Sequence, residues 1–284
     1  MDAYILFPKL LPPIIDLSKG GENMGLLPKF IDDAAGPPAQ AVGNTLSNLW
    51  DSGIGSHVQL WIKKQEVRQQ QNYQDYINRV EVKTQEIPEV FIQEPSLHIV
   101  GPAIEASKYY IESEGLREMF ANLIASSIDV RKAEKTHPSF VEIIKQLSPK
   151  DAGILMNFKF HKELPISQIR LVSNDNTFHT THTHIMNFGG GDTYKLNVKS
   201  LSNLHRLGLI EIDYRVRSTN DYVYEFVKTH PAFQEAQELL VQYTETSSSE
   251  QFPQIEASQF EKVTFVKGLC TVTPLCESFI DVCL

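Results

Sequence analysis

The sequence predicts an α+β fold that is mainly α. N-terminal helices and a compact helical bundle would precede a winged-helix-like unit with a small antiparallel sheet. Apolar residues recur at three- and four-residue steps before residue 160, as on one face of a helix. Serine, threonine and proline mark several helix starts. Residues 209–214 and 222–226 alternate like two strands around a polar turn. The predicted parts are a poorly ordered or peripheral segment (1–23), a charge-poor amphipathic segment with a long polar helix (24–93), a helical bundle (94–160) and the winged-helix-like domain (161–284).

Composition bounds the class of protein. The chain has 284 residues, of which 42% are hydrophobic and 21% charged, as in an ordinary globular protein. Its net charge of -9 argues against a general nucleic-acid-coating role. Cys270, Cys276 and Cys283 match neither a disulfide framework nor a zinc pattern, which predicts buried free thiols in a reducing cytoplasm. No apolar run reaches the roughly 18 residues that span a bilayer, and residues 1–17 do not resemble a secretory signal.

The charge-poor segment is the most unusual surface candidate. Between Asp33 and Lys63 the only formal charge is Asp51. An apolar ridge recurs there at helical spacing, and it consists of Val42, Leu46, Leu49, Trp50, Ile54, Val58 and Trp61. One interpretation buries the ridge against the rest of the protein or a partner subunit. The other lets it contact a membrane or line a pore in an assembly, which would place a cytoplasmic protein at the periphery of the inner membrane.

Helix signals continue through the polar and bundle regions. Residues 63–83 are very polar and predict a long exposed helix from Ser56 to Thr84, ended by Ile87-Pro88. In the bundle, helix starts are predicted at Gly101-Pro102, Ser113, Pro138 and Ser148-Pro149. The helix after Ser113 has a wide apolar stripe, and the side chains expected on its opposite face are Arg117, Glu118 and Asn122.

The C-terminal region mixes helix and strand signals. Residues 165–169 suggest a short helix and 174–192 a hairpin or loop. A helix is predicted from Asn197 to Leu207, with Gly208 as its stop. The two alternating stretches would then form the wing. The remaining predicted elements are a helix at 233–243, a polar linker at 244–258, strands near 263–266 and 270–272, and a last helix from Thr273-Pro274.

The histidine-rich stretch is a candidate metal site. His179, His182 and His184 lie close together, and on a strand His182 and His184 would share a face. No Cys, Asp or Glu stands near enough in sequence to supply a third ligand before Asp192. A solvated hairpin is therefore preferred to a metal site. Residues 189–191 lack the spacing of a phosphate loop. No metal, cofactor or catalytic residue is predicted.

Five basic residues between Lys195 and Arg217 raise the question of nucleic-acid binding. A winged-helix unit that reads DNA needs such residues on the helix that enters the groove. The candidate nucleic-acid contacts are Lys199, Asn203, Arg206, Arg215 and Arg217. Protein packing or oligomer contact is the preferred use of this unit, so DNA is not the favoured partner.

Several stretches resemble the abortive infection alpha family, a bacterial group associated with phage resistance. They are residues 94–103, 116–123, 137–149, 201–210 and 273–284, with the run His137-Pro138-Ser139-Phe140 the most specific. Cys276 departs from the glycine expected there. The resemblance implies host defence with no established enzymatic activity, so it carries over no catalytic residue and no cofactor.

Two functional hypotheses follow. The first is a non-enzymatic anti-phage protein that acts through oligomerisation or membrane contact of the charge-poor segment. The alternative is a sensor or regulator that binds a phage protein or DNA through the C-terminal unit. The implied partners are a second copy of the chain, a phage-derived trigger protein and the inner membrane.

Overall fold

The fold is known from a computed structural model, which describes residues 30–31, 35–51, 67–188, 194–247 and 260–284. Within these ranges the chain is mostly helical and adds a four-stranded antiparallel sheet, which confirms the predicted α+β class. The predicted segment 1–23, the glycine run 189–191 and most of the predicted linker lie outside the described residues.

The elements follow one another from the N-terminal helix to the C-terminal helix. The α-helices are α1 (Pro37–Asp51), α2 (Val67–Gln85), α3 (Leu97–Ser107), α4 (Glu114–Ile128), α5 (Val130–Ala133), α6 (Ser139–Gln146), α7 (Pro149–Phe158), α8 (Tyr194–Arg206), α9 (Phe226–Thr229), α10 (Pro231–Ser247) and α11 (Pro274–Cys283). The strands are β1 (Glu163–Ser173), β2 (Phe178–Ile185), β3 (Ile210–Asp213) and β4 (Phe260–Val272). Short 3-10 turns lie at Glu89–Phe91 and Asp221–Tyr224.

Helix α4 forms the centre of the bundle. Its stripe Leu116, Phe120, Leu123, Ile124 and Ile128 is buried, and α2, α3, α6, α7 and α11 pack around it. The C-terminal helix is fixed there because Ser126 Oγ donates to the Val282 carbonyl at 3.0 Å. One apolar core therefore joins the bundle to the C-terminal helix and to the end of the sheet.

Two predicted helix starts are confirmed by their caps. Ser148 Oγ accepts a hydrogen bond from the Asp151 N–H, and the Asp151 carboxylate accepts one from the Ser148 N–H. The two bonds together form a capping box on α7. Thr273 caps α11 in the same position before Pro274. The predicted start at Gly101-Pro102 is wrong, since α3 begins at Leu97. Burial of Ile99 and Val100 against the core favours the earlier turn, although Pro102 forfeits one backbone hydrogen bond.

The predicted exposure of the polar helix is also wrong in its described part. Helix α2 buries a stripe of side chains at helical spacing, and these are Tyr73, Tyr76, Ile77, Val80 and Thr84. The many glutamines between them hid the stripe in the sequence. Because α2 covers α4, Arg117 is only 8% exposed rather than turned to solvent, and Glu118 and Asn122 are half-buried.

An ionic network joins α2 to α4. Arg79 donates to Asp75 at 2.8 Å and to Glu118 at 2.5 Å, and Lys83 also lies 2.5 Å from Glu118. Burial alone would raise the pKa of Glu118, but the hydrogen bonds from Lys83 and Arg79 lower it below its usual value. Glu118 is therefore a carboxylate that stabilises the helix pair in its ionised form.

We expect Glu118→Gln to remove part of the acid sensitivity of the fold. A carboxyl whose folded pKa is lowered contributes stability above its unfolded pKa, about 4.3, and loses that contribution as pH falls through the folded pKa. The stability difference between the wild type and Glu118→Gln should thus be full at neutral pH and shrink in acid. Urea unfolding across this pH range measures it, and an equal difference at every pH would refute the role of the charge.

The sheet has the order β2-β1-β4-β3, and every neighbouring pair is antiparallel. The short helix predicted at 165–169 is wrong, because these residues lie in the central strand β1. Ile166, Ile169 and Leu171 are fully buried there, and β-branched residues suit a strand paired on both sides. The hairpin or loop predicted at 174–192 is correct only in part. Its residues 178–185 form β2, which pairs with β1 outside this stretch, and residues 189–192 lie outside the described residues. The two strands predicted near the tail are a single long strand, β4.

The predicted wing is wrong in its second strand. Residues 221–224 form a 3-10 turn and α9 begins at Phe226, so β3 pairs with β4 instead. The Tyr224 hydroxyl donates to the Gly268 carbonyl at 2.9 Å and anchors the turn in the fold. A Cβ at Gly268 would lie 2.8 Å from the Asp213 carbonyl, so glycine permits the close approach of the strand ends.

Gly208 ends α8 in the left-handed region, with φ of 71°. Its predicted role as the helix stop is confirmed, since the Leu209 N–H donates back to the Leu204 carbonyl. We expect Gly208→Ala to lower the free energy of unfolding by about 1 kcal/mol, because alanine is strained at positive φ. Thermal unfolding measures the loss. Gly153→Ala, within α7 and with no atom near the added methyl group, is the matched control and should stabilise the protein.

Candidate functional site

The N-terminal helix α1 is docked on the protein through one end of its predicted apolar ridge. Val42, Leu46 and Trp50 are each at most 5% exposed, and Leu49 is half-buried against the same core. The other ridge residues, Ile54, Val58 and Trp61, lie outside the described residues. Contact of this ridge with a membrane or a second copy stays a prediction, and it requires α1 to leave its docking position.

Trp50 occupies an aromatic pocket. Its ring centroid lies 5.4 Å from that of Phe30, 6.1 Å from Tyr73 and 5.9 Å from Tyr76. The two tyrosines come from the buried stripe of α2. Sequence reasoning found the tryptophan but missed its pocket, although the spacing of Tyr73, Tyr76, Ile77 and Val80 is a signal that could have shown it.

Two polar contacts hold the chain beside α1. The Gly36 N–H donates to Glu89 Oε1 at 2.7 Å, and Thr84 Oγ1 donates to the Phe30 carbonyl at 2.5 Å. Both hydrogen bonds join the N-terminal segment to the end of α2, because Thr84 lies in α2 and Glu89 lies in the turn that follows it. The segment is therefore attached by a ridge of apolar side chains and a small number of hydrogen bonds.

The described exposed side chains of α1 carry no charge, and they include Gln40, Ala41, Asn44 and Asn48. Such side chains give up few ionic hydration contacts if the helix moves into a less polar environment. Among the described helices, none is long and apolar enough to cross a bilayer.

The docked pocket leaves polar atoms without partners. Trp50 Nε1 and the hydroxyls of Tyr73 and Tyr76 are buried, and none of them makes a well-formed hydrogen bond within the described structure. The polar groups that lie near the two hydroxyls are the Trp50 indole beside Tyr73 and the Ser107 hydroxyl beside Tyr76. Burial raises the pKa of Tyr73 to about 12 and raises the pKa of Tyr76 further. Each unsatisfied buried group costs roughly 1–3 kcal/mol. The apolar contacts of the pocket therefore stabilise the docked position of α1, and the burial of poorly bonded polar atoms weakens it.

We expect Tyr73→Phe to tighten this docking. The substitution keeps the ring next to Trp50 and removes a buried hydroxyl that makes no well-formed hydrogen bond, so it should stabilise the docked state by about 1 kcal/mol. Trp50 fluorescence in a Trp61→Phe background would report α1, because Trp50 and Trp61 are the tryptophans of the chain. Earlier release of α1 on urea titration in Tyr73→Phe would contradict the assignment.

The three histidines do not converge. Ser167 pairs with Ile185 and Ile169 pairs with His182, so two residue steps along β1 correspond to three along β2, and a bulge lies between His182 and Ile185. His184 has φ of 57° at this bulge. His182 Nε2 lies 3.3 Å from Glu235, whereas His184 stacks on Tyr214. Among the described residues no group of three or more potential ligands is placed to hold a metal ion. The expectation that His182 and His184 share a face of the strand is wrong for this reason.

The candidate nucleic-acid residues have separate environments. Asn203 Nδ2 donates to the Gln146 carbonyl and to Asp151, and Arg206 donates to Gln146 Oε1 at 3.0 Å. Arg215 forms a bidentate pair with Asp213. Lys199 and Arg217 are exposed. Much of the predicted set is thus engaged within the protein, and DNA contact stays a prediction.

The cysteines are buried free thiols, as predicted. Burial raises the pKa of Cys270 and of Cys276 to about 12, and raises that of Cys283 as well. Since the thiolate is the reactive form, these side chains are not primed for nucleophilic chemistry. They pack as small apolar residues in the shared core.

Comparison with known proteins places the chain in a family. One solved structure, of the uncharacterized protein from the hydrocarbon-degrading marine bacterium Alcanivorax borkumensis SK2, is similar with 13% identity and a TM-score of 0.33, over 54% of this chain and 94% of that one. No curated protein matches the chain. The family described as abortive infection alpha matches residues 68–283, which include α4, the sheet and α11. This chain therefore belongs to the abortive infection alpha family.

Proposed function

We propose that this protein is a non-enzymatic anti-phage protein that acts when α1 leaves its pocket and binds elsewhere. A phage-derived protein would trigger the release. The freed ridge of Val42, Leu46 and Trp50 would then bind the surface of the inner membrane or the same ridge of a second copy. The infected cell would stop growing before phage release.

The observation that carries this proposal is the docking of α1. Its apolar ridge is covered by the protein's own aromatic pocket, its described exposed side chains carry no charge, and three polar atoms of the docked pocket make no well-formed hydrogen bond. A helix held in this way can exchange one apolar surface for another at modest cost. Membership of the family supports the defence role, and the family match begins at residue 68, after α1.

The test separates release of α1 from what α1 does next. Tyr73→Ala empties one wall of the pocket and leaves the ridge of α1 unchanged, so it should release an intact ridge. Limited proteolysis near residues 30–66 would confirm release. The purified variant should then float with vesicles of phosphatidylethanolamine and phosphatidylglycerol, or gain mass by light scattering. Cells that express it should arrest without phage.

The matched control is the double variant Tyr73→Ala/Leu46→Asp. It should release α1 but carry a charge in the ridge, so vesicle binding, self-association and arrest should all be lost. Tyr73→Phe should raise the number of phage plaques, because it holds α1 in place. A released Tyr73→Ala protein that neither associates nor arrests growth would overturn the proposal.

A further inference from the structure

A cleft of about 530 Å³ lies where the α6–α7 junction meets α8. Its walls include Lys145 and Lys150 on one side and Lys199 and Ser200 on the other. The volume falls within the roughly 300–1,000 Å³ of small-molecule sites. None of these residues belongs to the proposed action of α1, so the two proposals can fail separately.

The cleft is locally basic on an acidic protein of net charge -9. Three lysines line it, and the carboxylate in its wall is Asp151, which is 3% exposed. That carboxylate already accepts from the Ser148 N–H at 2.7 Å and from Asn203 Nδ2 at 3.0 Å. Lys145 lies 2.9 Å from Glu142, whereas Lys150 and Lys199 form no ion pair with any described residue. Two ammonium groups are therefore free to meet an anion.

Unused hydrogen-bond donors face the same cleft. Ser200 is 4% exposed, lines the cleft and makes no hydrogen bond within the described chain. At the start of α7, Pro149 has no N–H, and the N–H groups of Asp151 and Ala152 are taken by Ser148. The backbone N–H of Lys150 is the remaining donor of this turn, where the helix dipole favours negative charge.

The two walls are fixed to each other. Asn203 Nδ2 donates to the Gln146 carbonyl at 2.9 Å, and Arg206 Nη2 donates to Gln146 Oε1 at 3.0 Å. The capping box of α7 holds the turn that carries Lys150. The backbone positions that carry these donors are thus held in place before a ligand arrives, which reduces the entropy lost on binding.

We propose that this cleft binds a nucleotide-sized phosphorylated ligand. The phosphate groups would lie between the Lys150 N–H, the ammonium groups of Lys150 and Lys199, and the Ser200 hydroxyl. Leu196 is 54% exposed at the rim and offers an apolar surface to a ring. Phosphate oxygens accept several hydrogen bonds at once, which matches this set of donors.

The test is titration of the full-length protein with ATP, inorganic pyrophosphate and adenosine, followed by calorimetry and by amide NMR. ATP and pyrophosphate should bind, adenosine should not, and the amide signals of Lys150 and Ser200 should shift. Lys199→Glu should weaken ATP binding about tenfold or more, because it reverses a charge in contact with phosphate. Ser200→Ala should weaken it about fivefold through the loss of one hydrogen bond.

Lys195→Glu is the matched control. Lys195 lies one turn before Lys199 on α8, outside the cleft, and its exposed pair with Glu235 contributes little to stability. ATP affinity should fall clearly less in this variant than in Lys199→Glu, because Lys195 does not line the cleft and the solvent partly screens its charge. An equal loss in Lys195→Glu and Lys199→Glu would overturn the site, as would absence of ATP and pyrophosphate binding at millimolar concentration. A DNA duplex that binds the cleft in preference to ATP would overturn the assignment to a small ligand and favour a nucleic-acid contact.

Discussion

Trp50→Ala is expected to free α1 while the remainder of the protein stays folded. Trp50 is 1% exposed and fills the pocket made by Phe30, Tyr73 and Tyr76. Truncation of a buried tryptophan costs about 3–5 kcal/mol. Each 1.4 kcal/mol is a tenfold change, so the ratio of docked to released α1 should fall by roughly a hundredfold or more.

The loss should be concentrated at α1, because the helices around α4 also contact one another without α1, although the ridge belongs to the same apolar core. Helix α4 is surrounded by α3, α6, α7 and α11 as well as by α2, and α11 is hydrogen-bonded to it through Ser126. The described contacts of α1 and the residues before it include the apolar ridge and the hydrogen bonds of Gly36 and Phe30. A protein of this construction should show local release before global unfolding.

Limited proteolysis with mass spectrometry measures the effect. Trp50→Ala should be cleaved within residues 30–66 much faster than the wild type, and the fragment that begins near α2 should persist. Asn44→Ala, on the exposed face of α1, is the matched control and should change stability by less than about 0.5 kcal/mol. Loss of the whole fold together with α1 would show that the helix is an integral part of the core.

Local signals in the sequence predicted much of the helical part. The starts at Ser148-Pro149 and Thr273-Pro274 are confirmed because a cap and a first-turn proline act within one turn of backbone. Gly208 was found for the same reason, since the left-handed end of a helix strongly favours glycine. These features need no knowledge of the partner elements.

Features that depend on distant partners were missed. Tyr222 to Phe226 alternates like a strand, but Tyr224 is bound to Gly268, which lies in β4 far along the chain. Residues 165–169 read as a helix start because of Pro165, yet β4 pairs with them as a strand. The burial of Arg117 follows from α2 lying across α4, which no pattern within α4 reports.

The candidate site divides in the same way. The ridge of α1 was predicted from its spacing, whereas the pocket that receives it comes from α2 and was not. The cleft between α7 and α8 brings Lys150 beside Lys199 and Ser200, although they are far apart in sequence. Periodicity shows which side chains share a face, but not which faces meet.

Arg117→Met is expected to lower the free energy of unfolding by about 2–3 kcal/mol. This loss combines the contribution of a buried hydrogen bond from a charged donor with the cost of leaving its carbonyl acceptor unsatisfied. Arg117 is 8% exposed, and its Nη1 donates to the Ile111 carbonyl between α3 and α4. Methionine replaces the apolar part of the side chain but leaves that carbonyl unpaired. Loss of the bond should therefore dominate over loss of packing.

The ion pair with Asp75 contributes less than the hydrogen bond. Arg117 Nε lies 3.1 Å from Asp75 Oδ2 but makes no hydrogen bond there, and the same carboxylate receives a hydrogen bond from Arg79 at 2.8 Å. The Asp75 side chain is also 41% exposed. Removal of Arg117 thus leaves Asp75 paired and hydrated. The cost of losing this ion pair should therefore be at most roughly half of the 3–5 kcal/mol that breaking a fully buried pair costs.

Urea unfolding of Arg117→Met, Asp75→Asn and the double variant separates the two contributions. The coupling between the two positions should be about 1 kcal/mol or less, while Arg117→Met alone keeps most of its cost when Asp75 is already asparagine. Arg68→Met, on the exposed face of α2, removes the same charge without a buried partner and should have little effect. Equal stabilities of Arg117→Met and Arg68→Met would show that the Ile111 carbonyl finds another donor. A coupling energy as large as the full loss of stability in Arg117→Met would assign the stabilisation to the ion pair instead.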